Sequence, residues 1–194
     1  MSNRRIGVTA MRVIAGKRKG QGLKAVPGNE TRPTTDKIKE AIFQSIGPFF
    51  DGGLVLDLFA GSGSLGIEAL SRGMDRAIFV DKQGKAIHTI KENLKSVKMT
   101  DQAEVFRADA LRALKAAAKK GLVFDLILLD PPYGKVNLSS LIQEITEHEL
   151  IKQSGLIYCE HDPQDELPEE TVNLTIQKQE VYSSTIAVTI YRLN

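Results

Sequence analysis

The sequence predicts an α/β fold, a three-layer sandwich in which a mostly parallel sheet carries helices on both faces. From residue 54 onward, short apolar runs typical of buried strands alternate with segments whose apolar residues repeat at helical spacing. Glycine-rich or acidic turns separate these segments, whereas a short polar turn alone joins the last two runs. Such alternation is typical of parallel sheets, because neighbouring parallel strands need a crossover connection, usually a helix.

The amino-terminal part of the chain precedes this alternation and differs from it in charge. Apolar runs at 11–15 and 23–26 flank the glycine-rich, basic turn 16–22, a pattern that predicts a small β-hairpin. A helix is predicted to start near Asp36 and to end at Gly47 and Pro48.

The predicted elements of the sheet follow in order. Apolar runs predict strands at 54–58, 77–80, 103–106, 124–129 and 156–160. Apolar residues at helical spacing, or an alanine-rich composition, predict the intervening helices at 64–72, 87–97, 110–119 and 138–148. The final runs, 172–182 and 186–192, predict an antiparallel hairpin without a crossover helix.

The distribution of charge separates the amino-terminal part from the sheet. Residues 1–40 carry a net charge of +7 in a chain whose total is +2. This asymmetry indicates a contact with a polyanion, although a merely solvated basic tail would give the same charge. We therefore predict a leader or disordered tail at 1–10, a basic hairpin and helix at 11–50, and a ligand-binding catalytic domain at 51–194.

Composition excludes several classes of protein. Hydrophobic residues make up 42% and charged residues 26% of the 194 residues, values that are ordinary for a globular protein. No apolar stretch is long enough to cross a membrane, and the first ten residues lack the apolar core of a signal peptide.

The cysteine and histidine content argues against disulfides and metal sites. The single cysteine, Cys159, excludes an intramolecular disulfide and fits a reducing cytoplasm. Because it lies in an apolar run, we expect a small buried side chain rather than a nucleophile. We expect no metal, since the three histidines are scattered without ligand spacing, at His88, His148 and His161.

A glycine turn follows the first predicted strand of the sheet. Gly61, Gly63 and Gly66 satisfy the pattern G-x-G-x-x-G, and Asp81 follows Gly61 by 20 residues. Glycine permits a tight turn and a close approach of the backbone to a ligand. The spacing alone supports an NAD-dependent enzyme about as well as one that uses S-adenosylmethionine.

Acidic residues at three successive strand ends favour S-adenosylmethionine over NAD. Asp57 lies just before the glycine turn, where a carboxylate suits a positively charged amino group better than a pyrophosphate. Asp81 can accept hydrogen bonds from a ribose diol, and Asp109 from an adenine amino group. For each of the three, a helix N-cap is the alternative interpretation, because aspartate favours that position.

The most informative segment is Asp130-Pro131-Pro132-Tyr133, which follows an apolar run. Prolines cannot continue a sheet, so Asp130 is expected at the carboxyl end of a strand, where open α/β sheets bind ligands. The Asp130 carboxylate and the Pro131 carbonyl can accept from an exocyclic amine, and Tyr133 can stack on the base. A stiff turn would hold both acceptors in place.

Together these motifs resemble class I S-adenosylmethionine-dependent methyltransferases, and most closely the RsmD family of 16S ribosomal RNA (guanine-N2)-methyltransferases. The resemblance runs from about Met11 to Leu193 and includes the segments 12–16, 31–36 and 59–72. It implies a Rossmann-like fold with a seven-stranded sheet, S-adenosylmethionine as the cofactor, and a guanine at nucleotide 966 of 16S ribosomal RNA. The expected substrate is that RNA within a small-subunit assembly particle.

Site residues are assigned from the motifs and the resemblance together. The predicted catalytic residues are Asp130, Pro131, Pro132 and Tyr133. The predicted cofactor-binding residues are Asp57, Phe59, Ala60, Gly61, Gly63, Asp81, Lys82, Asp109, Ala110 and Asp130. The predicted RNA-binding residues are Arg12, Lys17, Arg18, Lys19, Arg32 and Thr34.

Three other functions remain open at this point. Asp130 to Tyr133 would serve an adenine or cytosine amino group as well as a guanine. The glycine spacing also fits an NAD-dependent oxidoreductase, and the basic segment fits a non-catalytic RNA-binding module.

Overall fold

A central sheet organises the part of the chain that the computed structural model describes, which is residues 11–28, 36–132, 134 and 136–194. Its strands are β1 (Leu54–Asp57), β2 (Arg76–Asp81), β3 (Ala103–Arg107), β4 (Phe124–Leu129), β5 (Ile151–His161), β6 (Leu174–Ser183) and β7 (Ile186–Leu193). Their order is β3-β2-β1-β4-β5-β7-β6. The first five are parallel, whereas β7 is antiparallel to both β5 and β6. This confirms the predicted fold class.

Helices cover both faces of the sheet because its strands alternate apolar side chains between the faces. The helices are α1 (Asp36–Ile46), α2 (Ser64–Ser71), α3 (Gly84–Ser96), α4 (Ala110–Lys119) and α5 (Leu138–Glu147). Val55 and Phe79 point to the face that packs against α1, α2 and α3. Their neighbours Leu56 and Val80 point to the face that packs against α4 and α5. In the described residues, no helix is long and apolar enough to span a membrane.

The predicted amino-terminal hairpin is reduced to one antiparallel bridge, between Arg12 and Gly22, with a 3-10 turn at Gly16–Arg18. The hairpin is therefore present, but its paired part is shorter than the two predicted strands. The two runs bond to each other, since Val13 N donates to Gln21 O at 2.9 Å and Leu23 N donates to Met11 O at 2.7 Å. Other backbone donors of the hairpin bond to helix side chains. Ile14 N donates to Glu68 of α2 at 2.8 Å, and Lys24 N donates to Asn93 of α3 at 2.8 Å.

β5 begins five residues earlier than predicted. Its first part contains exposed polar residues at 152–154, and Ser154 has a positive φ of 63°. The pairing register with β4 shifts between Phe124 and Leu126. The first part of β5 was not predicted, because the sequence there lacks the apolar run that marks the second half of the strand.

The strand order creates a switch point between β1 and β4. The chain moves from β1 outward to β2 and β3, then returns to β4 and moves outward the other way to β5. Open α/β sheets bind ligands at such a point, beyond the carboxyl ends of the strands. In this chain those two ends carry Asp57 and Asp130.

Candidate active site

Asp57, the last residue of β1, is a buried carboxylate at the switch point, 2% exposed. Its Oδ2 accepts a hydrogen bond from Gly66 N at 3.0 Å, in the first turn of α2. Burial raises the pKa of this carboxyl to about 7; the bond from Gly66 opposes the rise, and the charge of Asp81 adds to it. The N-cap of α2 is Gly63, so Asp57 does not occupy the capping position.

The glycine turn brings the backbone close to this carboxylate. Gly63 adopts a left-handed conformation with φ 80°, which favours glycine. A side chain at Gly66 would overlap the ring of Phe79 on β2 and lie 3.1 Å from Asp57 Oδ2. Gly66 thus permits the close packing of α2 on the sheet that places the turn over the end of β1. Beside Gly61, Phe59 is partly exposed, whereas Ala60 is buried and donates its N–H to Val80 O at 3.0 Å.

Asp81, at the end of β2, links the glycine turn to the start of α3. Its Oδ2 accepts from Gly61 N at 3.0 Å, and its Oδ1 accepts from Gln83 N at 2.8 Å. Each oxygen keeps a second lone pair for another donor. Lys82, the next residue, is exposed, and its carbonyl accepts from Arg107 Nε at 3.2 Å.

Asp109 is the N-cap of α4, which is the alternative that the sequence left open. Its Oδ1 accepts from Leu111 N at 3.1 Å, and the residue is exposed. Ala110 is the first residue of α4. Ala108 N donates to Asp81 O at 3.1 Å, which joins the ends of β2 and β3. Asp109 therefore lies on the exposed rim of the site, away from the buried switch point between β1 and β4.

Asp130 follows β4 directly and stands beside the end of β5. The residue is partly exposed, but its carboxyl group is enclosed by protein. Burial holds its pKa well above the usual range, and the charges of Glu160 and Asp57 raise it further. Pro131 is buried and Pro132 is exposed, whereas Tyr133 lies outside the described residues.

Glu160 is a neighbour of Asp130 that the sequence analysis did not single out. Leu129 pairs with Cys159 in the parallel register of β4 and β5, so the next residue on each strand is a carboxylate. Glu160 is 8% exposed and accepts from Tyr158 Oη at 3.2 Å. An acidic residue ending an apolar run was the available signal, but its nearness to Asp130 depends on which strands are neighbours.

Three carboxylates thus converge at the switch point, from β1, β4 and β5. Asp57 and Glu160 both act electrostatically on Asp130. Burial and neighbouring carboxylates disfavour the ionised forms of Asp57 and Asp130, so a positively charged ligand is favoured there. No metal is indicated by the described residues, which include no group of three histidine, cysteine or acidic side chains arranged to hold one.

A second buried polar group attaches the amino-terminal segment, residues 11–28, to α2. Glu68, fully buried, accepts from Ile14 N at 2.8 Å, from Ala15 N at 2.9 Å and from Arg72 Nε at 2.8 Å. The Lys39 ammonium lies 3.5 Å from the same carboxylate. Burial lowers the pKa of Lys39, and Glu68 opposes that shift. No sequence pattern indicated this cluster, because Glu68 lies far along the chain from Ile14, Ala15 and Lys39.

The predicted RNA-binding residues lie in different environments. Lys17 and Lys19 are exposed, and Arg12 pairs with Asp36 at 2.7 Å. Arg18 is partly buried and donates from Nη2 to Lys98 O at 3.2 Å. The remaining two, Arg32 and Thr34, lie outside the described residues.

The basic turn lies near the amino ends of the strands, whereas Asp57 and Asp130 lie at their carboxyl ends. Arg18 N donates to Ser71 Oγ, at the last residue of α2, at 2.9 Å. Because α2 begins beside the end of β1 and runs back antiparallel to that strand, its last residue lies near the amino ends of the strands. The structure therefore does not bring this turn to the switch point.

The comparisons with known proteins agree on one family. The family model described as conserved hypothetical protein 95 matches residues 11–192. YlbH of Bacillus subtilis, provisionally named an rRNA methyltransferase, is 54% identical over 182 residues, which cover 94% of this chain and 98% of that protein. Ribosomal RNA small subunit methyltransferase D of Haemophilus influenzae is 34% identical over 186 residues, which cover 94% of this chain and 92% of that protein.

A solved structure extends the likeness to the fold. The structure of yhhF from Escherichia coli, provisionally named a methyltransferase, has a TM-score of 0.81 at 30% identity and covers 95% of this chain and 98% of that chain. The predicted class I methyltransferase architecture is thereby confirmed. The chain belongs to the family described as conserved hypothetical protein 95, the RsmD family, which includes ribosomal RNA small subunit methyltransferase D.

Proposed function

We propose that this protein transfers a methyl group from S-adenosylmethionine to the exocyclic N2 of a guanine in 16S ribosomal RNA, at nucleotide 966 in the usual numbering. The observation that carries the proposal is the position of Asp130 and Pro131, at the end of β4, directly across the switch point from Asp57 and the glycine turn. That arrangement supports the proposal, because two acceptors for an amine would lie beside a buried carboxylate that suits a cation.

The residues of the switch point fit S-adenosylmethionine. Asp57 is a buried carboxylate, and in the described part of the chain no basic side chain pairs with it, so a positive amino group would satisfy it. The second lone pairs of Asp81 suit a ribose diol. Asp109 and Ala110, at the start of α4, would meet the adenine amino group.

The residues after β4 would activate the acceptor. The lone pair of guanine N2 is delocalised into the ring, which makes this nitrogen a poor nucleophile. Asp130 and the Pro131 carbonyl would accept its two N–H groups and favour a pyramidal nitrogen whose lone pair points at the methyl carbon. When bound, S-adenosylmethionine supplies an electrophilic methyl group on sulfur. Tyr133 would stack on the base and fix its plane.

Asp130 has the environment to accept the proton that the amine must lose. Burial and two nearby carboxylates favour its neutral form. A positive charge bound beside Asp57 favours the ionised form, which can accept a proton. A guanine paired within an RNA helix would first have to leave its stack, at a cost of a few kcal/mol.

The other functions that the sequence left open have weaker support. A buried carboxylate at Asp57 would repel the pyrophosphate of NAD, which argues against an oxidoreductase. A non-catalytic RNA-binding module would not need the enclosed Asp130. Guanine is preferred to adenine or cytosine because of the family, since the acceptors themselves fit any of the three amino groups.

The substrate and location follow from the same proposal. We place the reaction in the cytoplasm, on ribosomal RNA within a small-subunit assembly particle. The relative named ribosomal RNA small subunit methyltransferase D supports that choice of RNA. The one cysteine, Cys159, is a free buried thiol, which fits a reducing compartment.

The test is transfer of tritiated methyl groups from S-adenosylmethionine to RNA from cells that lack this protein, followed by nucleoside analysis. We expect label in N2-methylguanosine of the small-subunit RNA and no labelling of RNA from cells that have the protein. Label in methylated adenosine or cytidine would contradict the choice of base. Titration that shows NADH binding, without binding of S-adenosylmethionine, would contradict the cofactor.

A further inference from the structure

The amino-terminal segment lies lengthwise along α3. Arg18 Nη2 donates to Lys98 O, just beyond the carboxyl end of α3, at 3.2 Å. Further along the segment, Lys24 Nζ lies 3.2 Å from Glu92 in the middle of that helix. Near the end of the segment, a Cβ on Gly28 would lie 3.8 Å from Nζ of Lys85, in the first turn. The segment therefore runs antiparallel to α3 over the length of the helix.

A buried amide fixes this arrangement. Asn93 of α3 is 1% exposed. Its Oδ1 accepts from Lys24 N at 2.8 Å, and its Nδ2 donates to Lys24 O at 3.0 Å and to Ser62 O at 2.8 Å. The segment and α3 thus form one continuous surface, which is also tied to the glycine turn through Ser62.

This surface is strongly basic. Residues 11–28 contain five basic and no acidic side chains, and residues 84–98 contain four basic side chains and one acidic side chain, Glu92. Glu92 is already paired with Lys24. Lys91 and Lys95 are exposed and four residues apart, which places them on one side of α3. Lys98 is also exposed and follows the carboxyl end of the helix, with a left-handed φ of 55°. Among the described residues, none of these three lysines has an ion-pair partner.

We infer that residues 11–28 and α3 form a composite RNA-binding face on which Lys91, Lys95 and Lys98 contact phosphates together with Lys17 and Lys19. This inference rests on the proposed function and extends the predicted contact from the basic turn to a helix. α3 has 13 residues, a length of about 20 Å. The helix begins beside Asp81, at the carboxyl ends of the strands, where the cofactor is proposed to bind. It ends near the amino ends of the strands, where the basic turn lies. The RNA backbone would follow the helix away from the target base.

The test compares two triple variants in the full-length chain. The first replaces Lys91, Lys95 and Lys98 with glutamine. The matched control replaces three exposed lysines of the opposite layer, two within α4 and one just beyond it, namely Lys115, Lys119 and Lys120. For each variant, the affinity for small-subunit RNA is measured over a range of salt concentrations, with the affinity for S-adenosylmethionine and the melting temperature.

We expect the α3 variant to lose about ten- to a hundredfold in RNA affinity, with a salt slope shallower by about 2, since each lost phosphate contact removes about 0.7 from a single-strand slope. Each single α3 substitution should then reduce the slope by about 0.7. Cofactor affinity and melting temperature should match those of the wild type, as should RNA affinity in the α4 control.

An α3 variant with wild-type affinity and slope would overturn the composite face, and so would an equal loss in the α4 control. Neither result would affect the proposed reaction, because that reaction is judged by methyl transfer in the wild-type protein. Failure of the wild type to methylate RNA would instead overturn the proposed function, whatever the binding results.

Discussion

At the scale of single residues, the site depends on carboxyl groups whose environment disfavours their charge. Asp57 and Asp130 are both enclosed, and each is affected by another carboxylate at the same edge of the sheet. Buried charges without partners reduce stability. The site therefore holds a local instability that a cationic ligand would relieve.

Replacing Asp57 with asparagine should change how stability depends on pH. In the folded protein Asp57 keeps its proton up to a pKa of about 7, whereas the unfolded chain releases it near pH 4. The free energy of unfolding should therefore fall as pH rises from about 4 to about 7. The Asp57→Asn variant should not show this fall. At pH 8 its free energy of unfolding should exceed that of the wild type by on the order of 2 kcal/mol. The variant should also bind S-adenosylmethionine more weakly.

Urea unfolding at pH 5 and pH 8 measures this effect. Asp109→Asn is a suitable control, because Asp109 is exposed and asparagine caps a helix as well as aspartate does. Equal pH dependence in Asp57→Asn and the wild type would show that Asp57 is ionised throughout this range.

At the scale of elements, buried polar side chains attach the amino-terminal segment to the helices behind the glycine turn. Asn93 joins the segment to α3 and to Ser62. Glu68 joins it to α2 and, through Lys39, to α1. The hairpin keeps its own backbone bonds, from Val13 N to Gln21 O and from Leu23 N to Met11 O, while Glu68 and Asn93 accept from Ile14 N and Lys24 N.

Replacing Asn93 with alanine should affect both ligands at once. The change leaves backbone groups of Lys24 and Ser62 without partners, at about 1–3 kcal/mol for each group that stays buried. We expect weaker binding of S-adenosylmethionine and of RNA, by about tenfold each. Isothermal titration measures the first and filter binding the second. Thr89→Val is the control, because Thr89 is buried on the same helix and its hydroxyl donates to Lys85 O within that helix. Similar losses in that control would contradict a specific role for Asn93.

Replacing Glu68 with glutamine should strongly destabilise the fold. Arg72 would keep a second partner in Glu40, but Lys39 would lose its buried counter-charge. Removing one member of a buried ion pair typically reduces stability by about 3–5 kcal/mol. Thermal unfolding measures the loss, and Glu104→Gln is the comparison, since its exposed pair with Arg76 is worth about 1 kcal/mol at most. A loss of similar size in both variants would contradict the importance of the buried cluster.

At the scale of the whole molecule, the sequence predicted what depends on local patterns. Apolar spacing predicted the sheet and its helices. The ends of the apolar runs predicted that Asp57, Asp81 and Asp130 lie at the carboxyl ends of strands. Long-range partners could not be predicted in this way. The nearness of Glu160 to Asp130 requires the order of β4 and β5, and the role of Asn93 requires the path of a segment 69 residues away in the chain.

The most direct test of the account is single-turnover methyl transfer by Asp130→Ala with saturating S-adenosylmethionine and RNA. If Asp130 positions the amine and accepts its proton, transfer should fall by about 10²–10⁴-fold. Affinity for the cofactor should stay within about threefold of the wild type, because Asp57, Asp81 and the glycine turn would still hold it without Asp130. A transfer rate equal to that of the wild type would contradict the assigned role of Asp130 in activating the base.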